Sequence, residues 1–143
     1  VTEPGPPAVY ATFESEIAVR PDDIDMNDHV HNSRFMDYVL AARFDQMRRC
    51  YKMPMEEFTA MGFSWVVKSC RIEYRRPLRL GDTALVRTRI VRAGGSTVVV
   101  AFDILRKESQ KRSADGEFEY VLVSIATGRA AEIPQAVLEK YRV

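Results

Sequence analysis

Between Pro21 and Asn32 the chain reads PDDIDMNDHVHN, twelve residues that hold Asp22, Asp23, Asp25, Asp28, His29, His31, Asn27 and Asn32 and no lysine or arginine. A carboxylate in such a cluster can serve as a general base or a nucleophile, and a histidine can carry a proton near neutral pH. The same residue types also build turns and cap helices. An apolar run with helical spacing begins directly afterwards, at Ser33. The cluster therefore sits at a helix N-terminus, where unpaired N–H groups and about half a positive charge favour an anion that develops during a reaction.

The elements that must position this cluster follow from periodicity. Upstream, Phe13, Ser15, Ile17 and Val19 alternate along one strand face, and Pro21 ends the run. Downstream, Phe35, Met36, Val39, Leu40, Ala42, Phe44, Met47 and Cys50 predict one long helix from Ser33 to about Cys50 with a broad apolar face. KMP breaks it, and PMEEFTAMG predicts a short helical turn ending at Gly62. Four strand-like runs follow: FSWVVKSCRIEYRRPL, DTALVRTRIVR, STVVVAFDILRKE and FEYVLVSIATGRA. They are separated by Gly81-Asp82, Gly94-Gly95 and the charged loop SQKRSADGE. The last two separators are short or hairpin-like and predict an antiparallel meander. PQAVLEKYRV closes the chain as a short helix started by Pro134. The order is that of an α+β domain, one long central helix wrapped by a curved five-stranded antiparallel sheet. Residues 1–10, proline-rich, are expected to form a flexible tail, and residues 11–143 a single domain. Open sheet edges favour pairing with a second copy.

Composition narrows the function further. The 143 residues carry a formal charge of +1, which gives no support to nucleic-acid binding through diffuse phosphate contacts. Cys50 and Cys70 lack metal-site or disulfide spacing and are expected to be buried thiols, with no metal or other cofactor required. No apolar run is long enough to span a membrane. A soluble, cytoplasmic protein is the expectation for the chain as it stands, which opens on Val1 rather than on a methionine.

The segment VRPDDIDMNDHVHNSRFMDYVLAAR resembles the first motif of the hotdog-fold thioesterases of the 4-hydroxybenzoyl-CoA thioesterase type, in which R-x-x-D-x-D-x-x-G-H-V-N-N precedes an aromatic-rich helix. IEYRRPLRLGDTALVRTRIV resembles that family's second block, so the likeness runs from about Phe13 to Pro134. The resemblance implies hydrolysis of an acyl thioester, with acyl-CoA as substrate and a homodimer or homotetramer as the working unit. Carried over by position, Asp25 is the catalytic carboxylate and Asn32, or a neighbour, supplies the backbone N–H that polarises the thioester carbonyl. His29 and His31 complete the candidate catalytic set. A thioester is already an activated acyl donor, so the chemistry needs no metal. At a reference pKa of about 3.9, Asp25 is ionised at neutral pH and can attack the carbonyl or deprotonate a water.

Two residues depart from the family pattern: Asp28 stands at the usual glycine and His31 at the usual first asparagine. An aspartate can adopt the left-handed conformation that the glycine supplies. Its charge is expected to raise the pKa of Asp25, and His31 to offset it. In relatives, basic residues near the turn between the third and fourth strands meet the nucleotide. Here that turn, VRAGGS, keeps only Arg92, and Arg71, Arg75, Arg76, Arg79 and the loop RKESQKR are substitutes. Trp65 reads as core, and in this fold core positions at the protomer interface line the acyl pocket, which makes it a candidate acyl contact.

Other readings stand beside these. Asp22 and Asp23 read as turn formers, Asp37 as a rival carboxylate on the helix itself, and His29 as a loop brace. An acyl-carrier-protein thioester is an alternative substrate. The rival activities are a hydratase, whose motif this segment fits poorly, and a non-catalytic domain that binds acyl thioesters.

Overall fold

The computed structural model describes residues 10–142, so nearly all of the expected N-terminal tail lies outside the described residues. Strand β1 (Thr12–Ala18) leads through one 3-10 turn, Pro21–Asp23, to the long helix α1 (Asn32–Arg49). The short helix α2 (Met55–Ala60) follows, then β2 (Phe63–Tyr74), β3 (Thr83–Gly94), β4 (Thr97–Arg106), β5 (Arg112–Ser124) and α3 (Gln135–Tyr141). The sheet order is β1-β3-β4-β5-β2, antiparallel throughout. This is the hotdog architecture that the resemblance implied, with β3, β4 and β5 as the predicted meander. No helix among the described residues is long and apolar enough to cross a membrane.

One strand starts earlier than the sequence predicts. Arg112 to Glu117, read as part of a charged loop, are the first residues of β5. The Asp115-Gly116 pair imitates a turn, yet Ser113, Ala114 and Gly116 are buried in the sheet, and the intervening Asp115 pairs with Arg75. Gly116 is there because of a close approach: a Cβ at this position would lie 1.7 Å from the carbonyl oxygen of Arg71 on β2. The two strands can come this close only without a side chain.

Helix α1 is rotated about its axis relative to the expected apolar face. Phe35, Val39, Ala42 and Met47 are buried as predicted, but so are Arg43 and Gln46, while Phe44 is 54% exposed. A buried polar network explains the rotation. Gln46 donates to Ser15 Oγ at 3.1 Å and accepts from Thr88 Oγ1, and Ser15 donates to Asp45. These bonds fasten α1 to β1 and β3, the strands it packs on. The core lies in two clusters along the helix. One, around Phe35, Tyr38, Phe102 and Phe118, backs its first half, and the other, around Met47, Tyr51, Phe58 and Leu122, its second. The cysteines are not the buried thiols expected: Cys70 is exposed on β2 and Cys50 only partly covered, and both are free.

Gly116→Ala should cost about 1–3 kcal/mol, because the backbone of β2 must move away from β5 to admit the methyl group. Urea unfolding monitored by circular dichroism measures this. A midpoint unchanged from the wild type would show that the close approach imposes no constraint.

Candidate active site

The polar segment folds into a compact loop before α1. Ile24 and Val30 form an isolated antiparallel bridge, and Asp25 N–H donates to His29 O at 2.8 Å. Val30 N–H donates to the carbonyl of the fully buried Leu78 at 2.8 Å, which ties the loop to the connection between β2 and β3. Asp23 is more than a turn former. Its side chain is completely buried, accepts from Tyr38 Oη at 2.8 Å and from Arg20 at 3.1 Å, and lies 3.5 Å from Arg34. Burial opposes ionisation of Asp23, but hydrogen bonds from Arg20 and Tyr38 together outweigh it and hold the carboxyl below its ordinary range.

Asp25 Oδ1 accepts two backbone N–H groups, from Asn27 at 2.8 Å and from His29 at 3.1 Å. Its Oδ2 accepts no hydrogen bond from the described residues. The bond from His29, then that from Asn27, lowers the pKa of Asp25 below the usual carboxylate range, and the neighbouring His31 and His29 act in the same direction. The rise expected from Asp28 is therefore overturned: backbone dipoles aimed at Oδ1 dominate. The loop does take the left-handed turn at Asp28, with φ of 58°, where the family pattern has glycine.

The start of α1 is uncapped by any side chain. His31, not Asn32, occupies the N-cap, and Asn32 is the first helical residue. The N–H groups of Asn32 and Ser33 have no partner among the described residues, as the first turn of a helix dictates in the absence of a cap. Tyr74 Oη donates to Asn32 O at 3.0 Å, and its ring packs edge-on against Phe35 with centroids 5.3 Å apart. The end of β2 thereby fixes the helix start.

Asp25, His29, Asn32 and Arg75 line one cleft of about 240 Å³, together with Val30, Phe35, Tyr74, Arg76 and Pro77. His31 is exposed beside it at the N-cap. Arg75 is engaged by Asp115 and by Glu73. Three other predicted residues lie elsewhere in the protomer. Arg71 borders a groove on the outer sheet face with Arg87 and Arg112, where it pairs with Glu73 at 3.2 Å. Arg92 is exposed beside the bulge near the far end of β3. Trp65 stands nine residues before Tyr74 on β2, about 30 Å along the strand, and lines a different cavity. Asp37, the rival carboxylate, is held by Arg34 at 3.3 Å and does not line the cleft. A second groove, which shares Arg76 and Pro77 with the cleft, gathers Arg79, Arg106 and Lys111. Among the described residues no group of three histidine, cysteine or acidic side chains is placed to hold a metal ion.

Sequence reasoning missed Tyr74 as a site residue. The available signal was its position at a strand end directly before Arg-Arg-Pro, where a side chain leaves the sheet and meets the helix.

Asp25 and the open first turn of α1 thus line one cleft on a hotdog scaffold, the arrangement that the resemblance to hotdog thioesterases implied. The chain belongs to the thioesterase-like superfamily, which it matches over residues 19–141. It is 24% identical over 128 residues to the long-chain acyl-CoA thioesterase FadM of Escherichia coli K12, covering 90% of this chain and 96% of that protein. It also resembles a Thermus thermophilus thioesterase solved with coenzyme A and Zn, with a TM-score of 0.74 and 28% identity over 90% of this chain and 91% of that one. The fold alone is shared with a Staphylococcus aureus DHNA-CoA thioesterase, with a TM-score of 0.85 and 15% identity over 91% and 88% of the two chains.

Asp28→Gly should leave the loop intact, since glycine adopts a positive φ freely. Asp28→Val should lower stability by about 1–2 kcal/mol, because a branched side chain resists the left-handed region. Denaturant midpoints of the two variants test the pair, and equal midpoints would show that the turn at Asp28 is not held in solution.

Proposed function

We propose that the protein hydrolyses an acyl-CoA thioester to a free carboxylic acid and coenzyme A, with Asp25 as the reacting carboxylate. The observation that carries this is the division of labour within one side chain. Oδ1 is anchored by two backbone N–H groups, which sets the orientation and keeps the group ionised, while Oδ2 is free to react. A thioester carbonyl placed over the N–H groups of Asn32 and Ser33 would have its developing negative charge stabilised there. Asp25 then either attacks the carbonyl carbon, expelling the thiolate and forming an anhydride that water cleaves, or takes a proton from the water that attacks. Both routes need the carboxylate ionised. His29 braces the loop through its backbone, and Tyr74 and Phe35 hold the helix start against β2.

The coenzyme A reading is supported by the adjoining basic groove. Arg76, Arg79 and Lys111 are candidates for the nucleotide phosphates in place of Arg71 and Arg92, which lie away from the cleft. FadM and the coenzyme A-bound relative point to the same substrate class. A homodimer fits the long edge of β2, which pairs only with β5 and exposes Val66, Cys70 and Tyr74 along twelve residues. Two such edges paired antiparallel would bring the Trp65 end of one protomer beside the Tyr74 end of the other, and so beside the cleft at Asp25.

Thiol release from a panel of acyl-CoA esters tests the assignment. Asp25→Asn keeps an oxygen for the two N–H groups but removes the charge, and kcat should fall by about 100-fold or more while the fold is retained. An Asp25→Asn variant as fast as the wild type would remove Asp25 from the reaction. The pH profile provides a second test. Because its pKa is lowered, Asp25 stays ionised well into acid, so kcat/KM should be level from neutral pH down to about 5 and fall only below the ordinary carboxylate value of about 4. An acid limb centred near pH 6 would assign the essential base to another group.

A further inference from the structure

A second, partly open cavity lies beside the C-terminal half of α1 and is walled by Leu40, Phe44, Met47, Trp65 and Tyr120 around the guanidinium of Arg43. Its wall is apolar, yet a buried cation and the hydroxyls of two tyrosines lie just behind it. Arg43 is only 6% exposed and makes no ion pair with any described residue; its Nη1 is fully buried, and the neutral hydroxyls of Tyr51 and Tyr120 lie against the guanidinium. Tyr51 Oη, Tyr120 Oη and Trp65 Nε1 are likewise fully buried. The guanidinium lies 5.3 Å from the centroid of the Tyr51 ring. Burial raises the pKa of Tyr120 to about 12 and shifts Tyr141 and Tyr51 upward as well, so these phenols are neutral and carry their protons.

Buried donors in native proteins find acceptors, and a buried cation finds a counter-charge. Here the described residues give Arg43 two neutral hydroxyls and no counter-charge. We propose that this cavity binds a carboxylate carried on an apolar chain, with Arg43 as the counter-charge and Tyr120, Tyr51 and Trp65 as flanking donors. The apolar wall takes the chain and the donor cluster takes its charged end. Two sources share this chemistry: the far end of an acyl group that bears a second, terminal carboxylate, or a free fatty acid. The first source rests on the thioesterase reading above, and the second does not. If β2 edges pair antiparallel as proposed above, the cavity of one protomer would adjoin the Asp25 cleft of its partner, the arrangement that a single long acyl group would need.

Calorimetric titration with sodium decanoate, with decanol as the neutral control, tests the carboxylate site directly. Decanoate should bind to the wild type and decanol at least tenfold more weakly. Arg43→Met should abolish that preference and Tyr120→Phe should reduce it. Tyr120→Phe removes a single oxygen, so it keeps the test valid if Arg43→Met does not fold. Thiol release from decanoyl-CoA and from its analogue with a terminal carboxylate then separates the sources. A kcat/KM ratio that favours the carboxylate-ended ester, and collapses in Arg43→Met, identifies the acyl group. Decanoate binding that depends on Arg43 with no such kinetic preference identifies the free acid. Equal binding of decanoate and decanol, or binding indifferent to both substitutions, overturns the proposal. If no ester is turned over, the hydrolase reading fails, and the titration still decides the cavity.

Discussion

The side chain of Asp23 is sealed between the strand-to-helix turn and the first turns of α1, where Tyr38 Oη and the guanidinium groups of Arg20 and Arg34 surround it. A buried carboxylate is tolerable only with such partners, and those partners come from three places in the chain: the end of the first strand, the helix start and the helix body. Once satisfied, it fixes the entry of the chain into α1. His31 N–H donates to the backbone oxygen of Asp23 itself at 2.9 Å, so the N-cap is placed by the residue that the helix side chains hold. The loop that presents Asp25 is strung between these two points.

Within that frame the two neighbouring carboxylates have opposite environments. Asp23 is wholly consumed by its contacts and serves the fold. Asp25 is half-exposed, directs one oxygen to backbone N–H groups, and leaves the other toward the cleft. The backbone bonds favour the ionised form without neutralising it, as a positively charged partner would. A salt bridge to arginine would also have lowered the pKa, but would have occupied the oxygen proposed to react. Arg75, the basic residue in the cleft, is engaged by Asp115 and Glu73 instead.

Most of the fold was legible because its signals are local. The alternation of Phe13, Ser15, Ile17 and Val19, the helical spacing from Phe35 to Met47, and the Gly94-Gly95 turn each report on their immediate neighbours. The misreadings depended on distant partners. Asp115-Gly116 reads as a turn until Arg71 on β2 and Arg75 just beyond it are seen to meet it. Gln46 lies outside the apolar face that the spacing marks, and only its bonds to Ser15 and Thr88 show why it turns inward. Of the site, the loop and helix start were readable because a contiguous segment carries them. Tyr74 was harder, since it reaches the loop only through the path of β2, and that Trp65 and Arg92 lie away from the Asp25 cleft of their own protomer is invisible in a motif, which carries no distance along a strand.

The fastening of α1 along one flank has a consequence for how the protein can diverge. Gln46 commits the helix to β1 and β3, while Leu40 and Phe44 are left on the flank toward Trp65, beside a cavity rather than a packed strand. Arg43 lies about three turns along the axis from Asn32, some 16 Å by helical rise, so the floor of the cavity is remote from the open N–H groups of its own helix. Residues 40 and 44, only partly covered, can therefore change in bulk or polarity without disturbing the loop, the N-cap or the buried network. One rigid rod thus carries the loop and N-cap at one end and the cavity wall at the other, so that the proposed reacting end and the proposed chain-binding end can vary apart.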